Sequence, residues 1–200
     1  MTPLTDIIDR TPWIPSWHDS GACMDRRHIL WLRYLLMQTK VERTLEIGVH
    51  TGASASAFIA ARVPEPHFCD PTYTLEARRV IDGRGTFHQH KGCDILYAMP
   101  PFDLVLVDGN HSMDAVAEEI AALDAKPPRI IVAHDVCSTD AGYAHCEGAA
   151  HLMEHLRDTG WLIVLDATDR PVENTKRGMM VATREESLYQ IAAETWAMTA

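Results

Sequence analysis

Short, nearly continuous apolar runs alternate along this chain with stretches of helical period, and that alternation restricts the fold more than any other feature. Thr44 to Ile47, His67 to Asp70, Thr86 to His90, Phe102 to Val107, Arg129 to Ala133, Trp161 to Leu165 and Gly178 to Thr183 read as seven strands. Between them, Ser54 to Ala61, Glu76 to Ile81, Met113 to Leu123 and Glu147 to Arg157 read as helices. A further helix, Asp25 to Gln38, precedes the first strand, and another runs from Glu185 toward Trp196. Strands this apolar must be covered on both faces, which parallel strands with crossover helices provide. In Met113 to Leu123, Val116, Ile120 and Leu123 form the apolar face, while Asp114, Glu118 and Glu119 are assigned to the polar one. Ser112 is expected to cap that helix. Only the polar stretch Asp166 to Arg177 separates the last two strands, so an antiparallel C-terminal hairpin is expected. The fold class is therefore α/β: a doubly wound, mostly parallel sheet of seven strands with helices on both faces.

The 200 residues suit one domain. Residues 1–20 are rich in Pro and Trp without a clear period and read as an irregular arm, leaving residues 21–200 as the domain. Such an arm packs on its own domain, on a partner subunit in a homodimer, or over a cleft as a lid. Asp6, Asp9 and Asp19 among scattered prolines fit neither a signal nor a transit peptide. No stretch approaches the roughly 20 apolar residues of a membrane span. The five cysteines are odd in number and form no CxxC pair, which suits reduced thiols and a cytoplasmic location. Acidic residues outnumber Lys plus Arg by 28 to 18, for a net charge of -10. That balance argues against a nucleic-acid partner, which needs a basic face, and leaves a small molecule as the expected one.

Doubly wound sheets bind ligands beyond the carboxyl ends of their strands, where the strand order reverses. The first strand here runs into Leu45-Glu46-Ile47-Gly48-Val49-His50-Thr51-Gly52-Ala53-Ser54. Gly48 and Gly52 permit close backbone approach to a ligand. A dinucleotide fingerprint requires a glycine where this turn has His50, and Glu46 puts a carboxylate just before it. The pattern suits a ligand with a cationic amino-acid end and no pyrophosphate, though it also fits a tight βα connection. Asp70 follows the second strand, where a carboxylate can hold a ribose diol or cap a turn. Asp94, after the third strand, is a candidate neighbour of an adenine.

The fourth and fifth strand ends carry Asp108-Gly109-Asn110-His111-Ser112 and His134-Asp135. Neighbouring parallel strands deliver these into one cleft. Asp108 and Asp135 offer hard oxygen ligands to Mg or Mn, and imidazole from His134 moves the preference toward Mn, Fe or Zn. His111 is a candidate general base at neutral pH. The alternative is that both aspartates cap helices. His151 and His155 share a helix face but read as solvated.

Taken together, these residues resemble class I methyltransferases that use S-adenosylmethionine (SAM), specifically small-molecule O-methyltransferases. The motifs that carry it are E-I-G-x-x-x-G-x-S at Glu46 to Ser54 and D-G-x-H-S-x-x-x-V at Asp108 to Val116. The group includes sugar and macrolide O-methyltransferases and cephalosporin-hydroxylase-like proteins. The resemblance spans about Leu35 to Arg184 and implies a Rossmann-like fold. It implies that Glu46, Gly48 and Gly52, with His50 and Ser54 in the same turn, hold the methionine part of SAM, and Asp70 the ribose. It implies a divalent cation, Mg or Mn, near Asp108 and Asp135, and a general base at His111. The chain departs from metal-dependent members, which end the fifth strand in two acidic or amide residues, by placing His134 before Asp135. Two other functions fit the same fold class: a SAM-binding protein without methyl transfer, and an NAD-dependent oxidoreductase.

Overall fold

The path of the chain is set by its first strand, which ends up near the middle of the sheet because later strands are laid on both sides of it. The computed structural model describes residues 24–137, 146–167, 169–170, 175–176 and 178–199. The arm expected over residues 1–20 lies outside them, as does much of the two segments that follow the fifth and sixth strands.

Helix α1 (Arg26–Thr39) turns Ile29, Leu32, Leu35 and Leu36 inward. Then come β1 (Arg43–Ile47), α2 (Ala55–Ala61), β2 (Glu65–Cys69), α3 (Leu75–Ile81) and β3 (Thr86–His88). The second half runs α4 (Gly92–Ala98), β4 (Leu104–Val107), α5 (Met113–Ala125), β5 (Ile130–His134) and α6 (Glu147–Asp158). It closes with β6 (Leu162–Asp166), β7 (Met179–Thr183) and α7 (Glu186–Thr199). A two-residue ladder, Asp169–Arg170 with Thr175–Lys176, stands apart from the main sheet.

The seven-stranded sheet has the order β3-β2-β1-β4-β5-β7-β6. Pairs among β1 to β5 are parallel, while β7 runs antiparallel to both β5 and β6. The expected antiparallel C-terminal pair is present, and its last strand inserts between β5 and β6 instead of extending the edge. Because side chains alternate along a strand, Leu104, Leu106, Ile130 and Val132 face α1, α2, α3 and α7, whereas Val105, Val107, Ile131 and Ala133 face α4, α5 and α6. Asp103, which interrupts the apolar run of the fourth strand, accepts the Glu42 and Arg43 N–H groups at 2.9 Å each and so ties β4 to the start of β1.

Two local readings need correction. Helix α4 has no counterpart in the sequence reading, since its seven residues are too few to display a period. Glu119 is buried, not solvated: three residues past Val116, it lies beside the apolar stripe of α5. Ser112 does cap α5, its side chain accepting from the Ala115 N–H. The described cysteines, Cys69, Cys93, Cys137 and Cys146, are free thiols. Among the described residues no helix is long and apolar enough to cross a membrane.

Candidate functional site

The chain moves outward from β1 to β3, then crosses back to place β4 on the other side of β1. The connections that leave β1 and β4 therefore run to opposite faces of the sheet, and a cavity of about 660 Å3 opens beyond the two carboxyl ends. Its floor depends on Gly48, which has φ +88. A Cβ at that position would stand 2.2 Å from the Asp108 carbonyl oxygen and 2.5 Å from Gly109 Cα. Only glycine lets the turns after β1 and β4 come this close. His50, where a dinucleotide turn has its glycine, adopts φ 47 and lines the cavity.

Glu46 projects from β1 toward the α1 side and is fully buried, with one oxygen accepting the Ser54 hydroxyl. Its other oxygen, Oε2, has no partner among the described residues. Burial, only partly offset by the Ser54 hydrogen bond, raises its carboxyl well above the usual range, with Asp108 and Asp70 adding to the effect. Ser54 lines the cavity, so Glu46 stands directly behind the wall. Asp70 also lines the cavity, and its Oδ2 accepts the Val49 and His50 N–H groups at 3.0 and 3.1 Å. Its Oδ1 accepts the Thr72 N–H at 2.8 Å, so this carboxylate fastens the glycine turn to the end of β2.

Gly52 lies outside the cavity wall, where its missing side chain lets α3 approach: a Cβ there would stand 3.1 Å from Ala77 Cα. Asp94 is exposed on α4 and does not line the cavity, although Gly92 and Cys93 beside it do.

Asp108, His111, His134 and Asp135 meet at the ends of β4 and β5 and line the same cavity beside the Gly48 turn. His134 Nδ1 is 3.2 Å from Asp108 Oδ1 and 3.4 Å from Asp135 Oδ1. His111 Nε2 is 3.4 Å from Asp135 Oδ2 and 3.6 Å from Asp108 Oδ1. Burial alone would lower the His111 pKa, but the contact with Asp135 and the charges of both aspartates outweigh it and raise the value. The backbone of His111 is fixed too: its carbonyl accepts the Gly148 N–H at 2.9 Å, and a Cβ on Gly148 would lie 2.6 Å from that oxygen. Asp135 has φ 59, a conformation that costs on the order of 1 kcal/mol in a non-glycine residue and aims its carboxylate back over the β5 end. Ligand atoms of Asp108, His134 and Asp135 lie within 4.8 Å of one another, which suits one cation. His151 is exposed and His155 pairs with Asp124, so neither joins the cleft.

Three residues of the site escaped the sequence reading. His28 on α1 and Asp166 at the end of β6 are buried behind His134. The third is Glu119, which lines the cavity with its Oε2 unpartnered among the described residues. Burial pushes its carboxyl up to about 7. An acid with a raised folded pKa holds its proton longer in the native state. It therefore costs stability as pH rises from the unfolded value, 4.5, through about 7. The shift corresponds to about 3 kcal/mol at alkaline pH. Glu119→Gln should match the wild type in urea melts near pH 4.5 and exceed it by about that amount near pH 8.5. A gap independent of pH would contradict the assignment.

No protein-family model matches the chain, and no curated protein matches its sequence. Solved structures do match its fold. The O-methyltransferase TomG of Streptomyces achromogenes, solved with SAM, is 18% identical over 82% of each chain, with a TM-score of 0.64. The O-methyltransferase of Bacillus cereus, solved with S-adenosylhomocysteine (SAH), is 14% identical over 92% of this chain and 91% of its own, with a TM-score of 0.64. The SAH-bound methyltransferase PaMTH1 of Podospora anserina is 16% identical over 93% of this chain and 89% of its own, also at 0.64. The chain thus has the fold of class I methyltransferases.

Proposed function

We propose that the protein transfers the methyl group of SAM to a hydroxyl of a small molecule. One observation carries this reading: a single cavity joins the Gly48 turn, backed by Glu46, to the His111–Asp108–Asp135 cluster at the neighbouring β4 and β5 ends. The donors present fit SAM. Its ammonium and sulfonium call for an acidic wall, which Asp70 and Asp108 provide, with the Glu46 carboxyl buried behind Ser54. Gly48 lets the β1 and β4 turns meet at the cavity floor. Similar folds crystallised with SAM or SAH support the choice.

SAM supplies an electrophilic methyl group already activated for displacement. The protein's work is then to position the acceptor and take its proton. His111 is the group placed for that, since it lines the cavity and its Nε2 stands beside two carboxylates that stabilise the imidazolium it becomes. Asp108, His134 and Asp135 form a nitrogen-and-oxygen set fit for a divalent cation such as Mn or Mg, which would act as a Lewis acid toward the acceptor oxygen. The acidic balance of the chain, 28 carboxylates against 18 basic residues, favours a small acceptor over nucleic acid.

The test is incubation with methyl-labelled SAM and a panel of phenols, catechols and sugars, with and without Mn. Transfer of label to an oxygen of any acceptor is the expected result. Tight SAM binding with no labelled product across the panel would favour a SAM-binding protein that does not methylate.

A further inference from the structure

Across the sheet, His134 on β5 and Asp166 on β6 are both register partners of Met179 on β7, one from each side. In-register neighbours project to the same face, and two strand spacings separate the pair by roughly 10 Å. Helix α1 packs on that face and fills the gap with His28. His28 Nε2 is 2.8 Å from Asp166 Oδ2, and its Nδ1 is 3.1 Å from His134 Nε2. Asp25 Oδ2, at 3.8 Å from His28 Nδ1, is beyond hydrogen-bond reach. All three members of the chain are less than 5% exposed: His28 3%, His134 1% and Asp166 4%.

We infer that Asp166 and His28 are positioning residues that fix the tautomer of His134 so that its Nδ1 presents a lone pair to a cation between Asp108 and Asp135. The inference rests on the cation arm of the proposed function. Its logic is proton counting. A carboxylate only accepts, so His28 must donate from Nε2 to Asp166. In a neutral imidazole the other nitrogen then accepts, so the proton at the His28–His134 contact belongs to His134 Nε2. In neutral His134 that leaves Nδ1 unprotonated and facing Asp108 Oδ1 at 3.2 Å and Asp135 Oδ1 at 3.4 Å. A lone pair directed at two carboxylate oxygens is repulsive unless something positive lies between them, and a metal ion answers that geometry. The imidazole ligand moves the set away from Mg, which takes oxygen, toward Mn, Co or Zn.

The experiment is titration of Mn and Mg into wild-type protein and three variants without SAM, with the nitrogen coupling of bound Mn read by pulsed electron paramagnetic resonance. Wild-type protein should bind one Mn with one imidazole coupling. His28→Leu removes the acceptor for His134 Nε2–H and should weaken Mn binding about 10–100-fold, with loss of the nitrogen coupling. Mg binding, which depends on the carboxylates, should change less, so the ratio of the two affinities moves; a merely structural disturbance would weaken both alike. His28→Gln can accept from His134 through its carbonyl while donating to Asp166 through its amide, and should restore the coupling. Asp166→Asn can accept or donate and removes the polarity, so it should fall between; it also supplies the comparison if His28→Leu does not fold. Unchanged Mn affinity and coupling in His28→Leu, or in Asp166→Asn in its place, would overturn the inference and leave the cation reading intact. A wild-type protein that binds no Mn overturns both, and SAM titrated in parallel reports separately on the methyl-transfer reading.

Discussion

Replacing His111 by alanine should lower turnover by about 10²–10⁴-fold, the usual worth of a positioned general base, and leave SAM affinity unchanged. The side chain lines the cavity with its Nε2 beside Asp135 and Asp108, and it is not among the Glu46, Ser54 and Asp70 contacts around the glycine turn. Its loss removes no donor from the proposed SAM wall. The backbone of residue 111 stays fixed by the Gly148 N–H whatever the side chain, so the β4–α5 turn keeps its shape. The wild-type pH profile carries a matching signature. Because Asp135 and Asp108 raise the His111 pKa, the imidazole must be deprotonated at a higher pH than an ordinary histidine before it can act as a base. The acidic limb of kcat/KM should therefore lie above about pH 6.5 and vanish in the variant. Single-turnover transfer of labelled methyl measures both. Full turnover in His111→Ala would remove this residue from the mechanism.

Gly48→Ala should damage both the fold and the ligand site. The position combines φ +88 with a Cβ that would meet the Asp108 carbonyl at 2.2 Å. The left-handed conformation alone costs an L residue about 1–2 kcal/mol. The clash is with backbone, so relief requires the β1 and β4 turns to separate, and those turns form the cavity floor. A combined loss of about 3 kcal/mol would lower the Tm of a chain this size by roughly 6–12 °C. The same displacement separates the Glu46 side of the site from Asp108, and SAM affinity should fall by about 100-fold, the equivalent of about 2.8 kcal/mol. Thermal melts and calorimetric titration on one preparation measure the two effects. Wild-type values for both would mean that the approach of β1 to β4 does not shape the site.

The central strands β1, β4, β5 and β7 were legible because each is a short run buried on both faces, so apolarity alone marks it, whereas the edge strands β3 and β6 are partly exposed. The ends of β4 and β5 were legible for the complementary reason: Asp108, His134 and Asp135 are polar residues at the points where such runs stop. His28 was written into the apolar stripe of α1, beside Leu32 and Leu35, but a single histidine on a helix does not reveal what it touches. Its partners lie 106 and 138 residues away, in strands whose adjacency depends on β7 inserting between β5 and β6. That insertion is a property of the folded sheet and leaves no local pattern. Glu119 was misplaced because adjacent Glu118 and Glu119 suggest one solvated face, whereas their separation of about 100° on a helix puts the second under the cavity. Asp94, near the end of the third strand, is exposed on α4, while the neighbouring Gly92 and Cys93 meet the cavity.

The central claim is that the cavity beyond β1 and β4 receives SAM, and calorimetric titration of the purified chain with SAM, SAH and NAD tests it most directly. Saturable one-to-one binding of SAM is expected, with competition by SAH and no heat from NAD, whose pyrophosphate would meet His50 and the Asp70 and Asp108 carboxylates. Binding of NAD with no binding of SAM would contradict it.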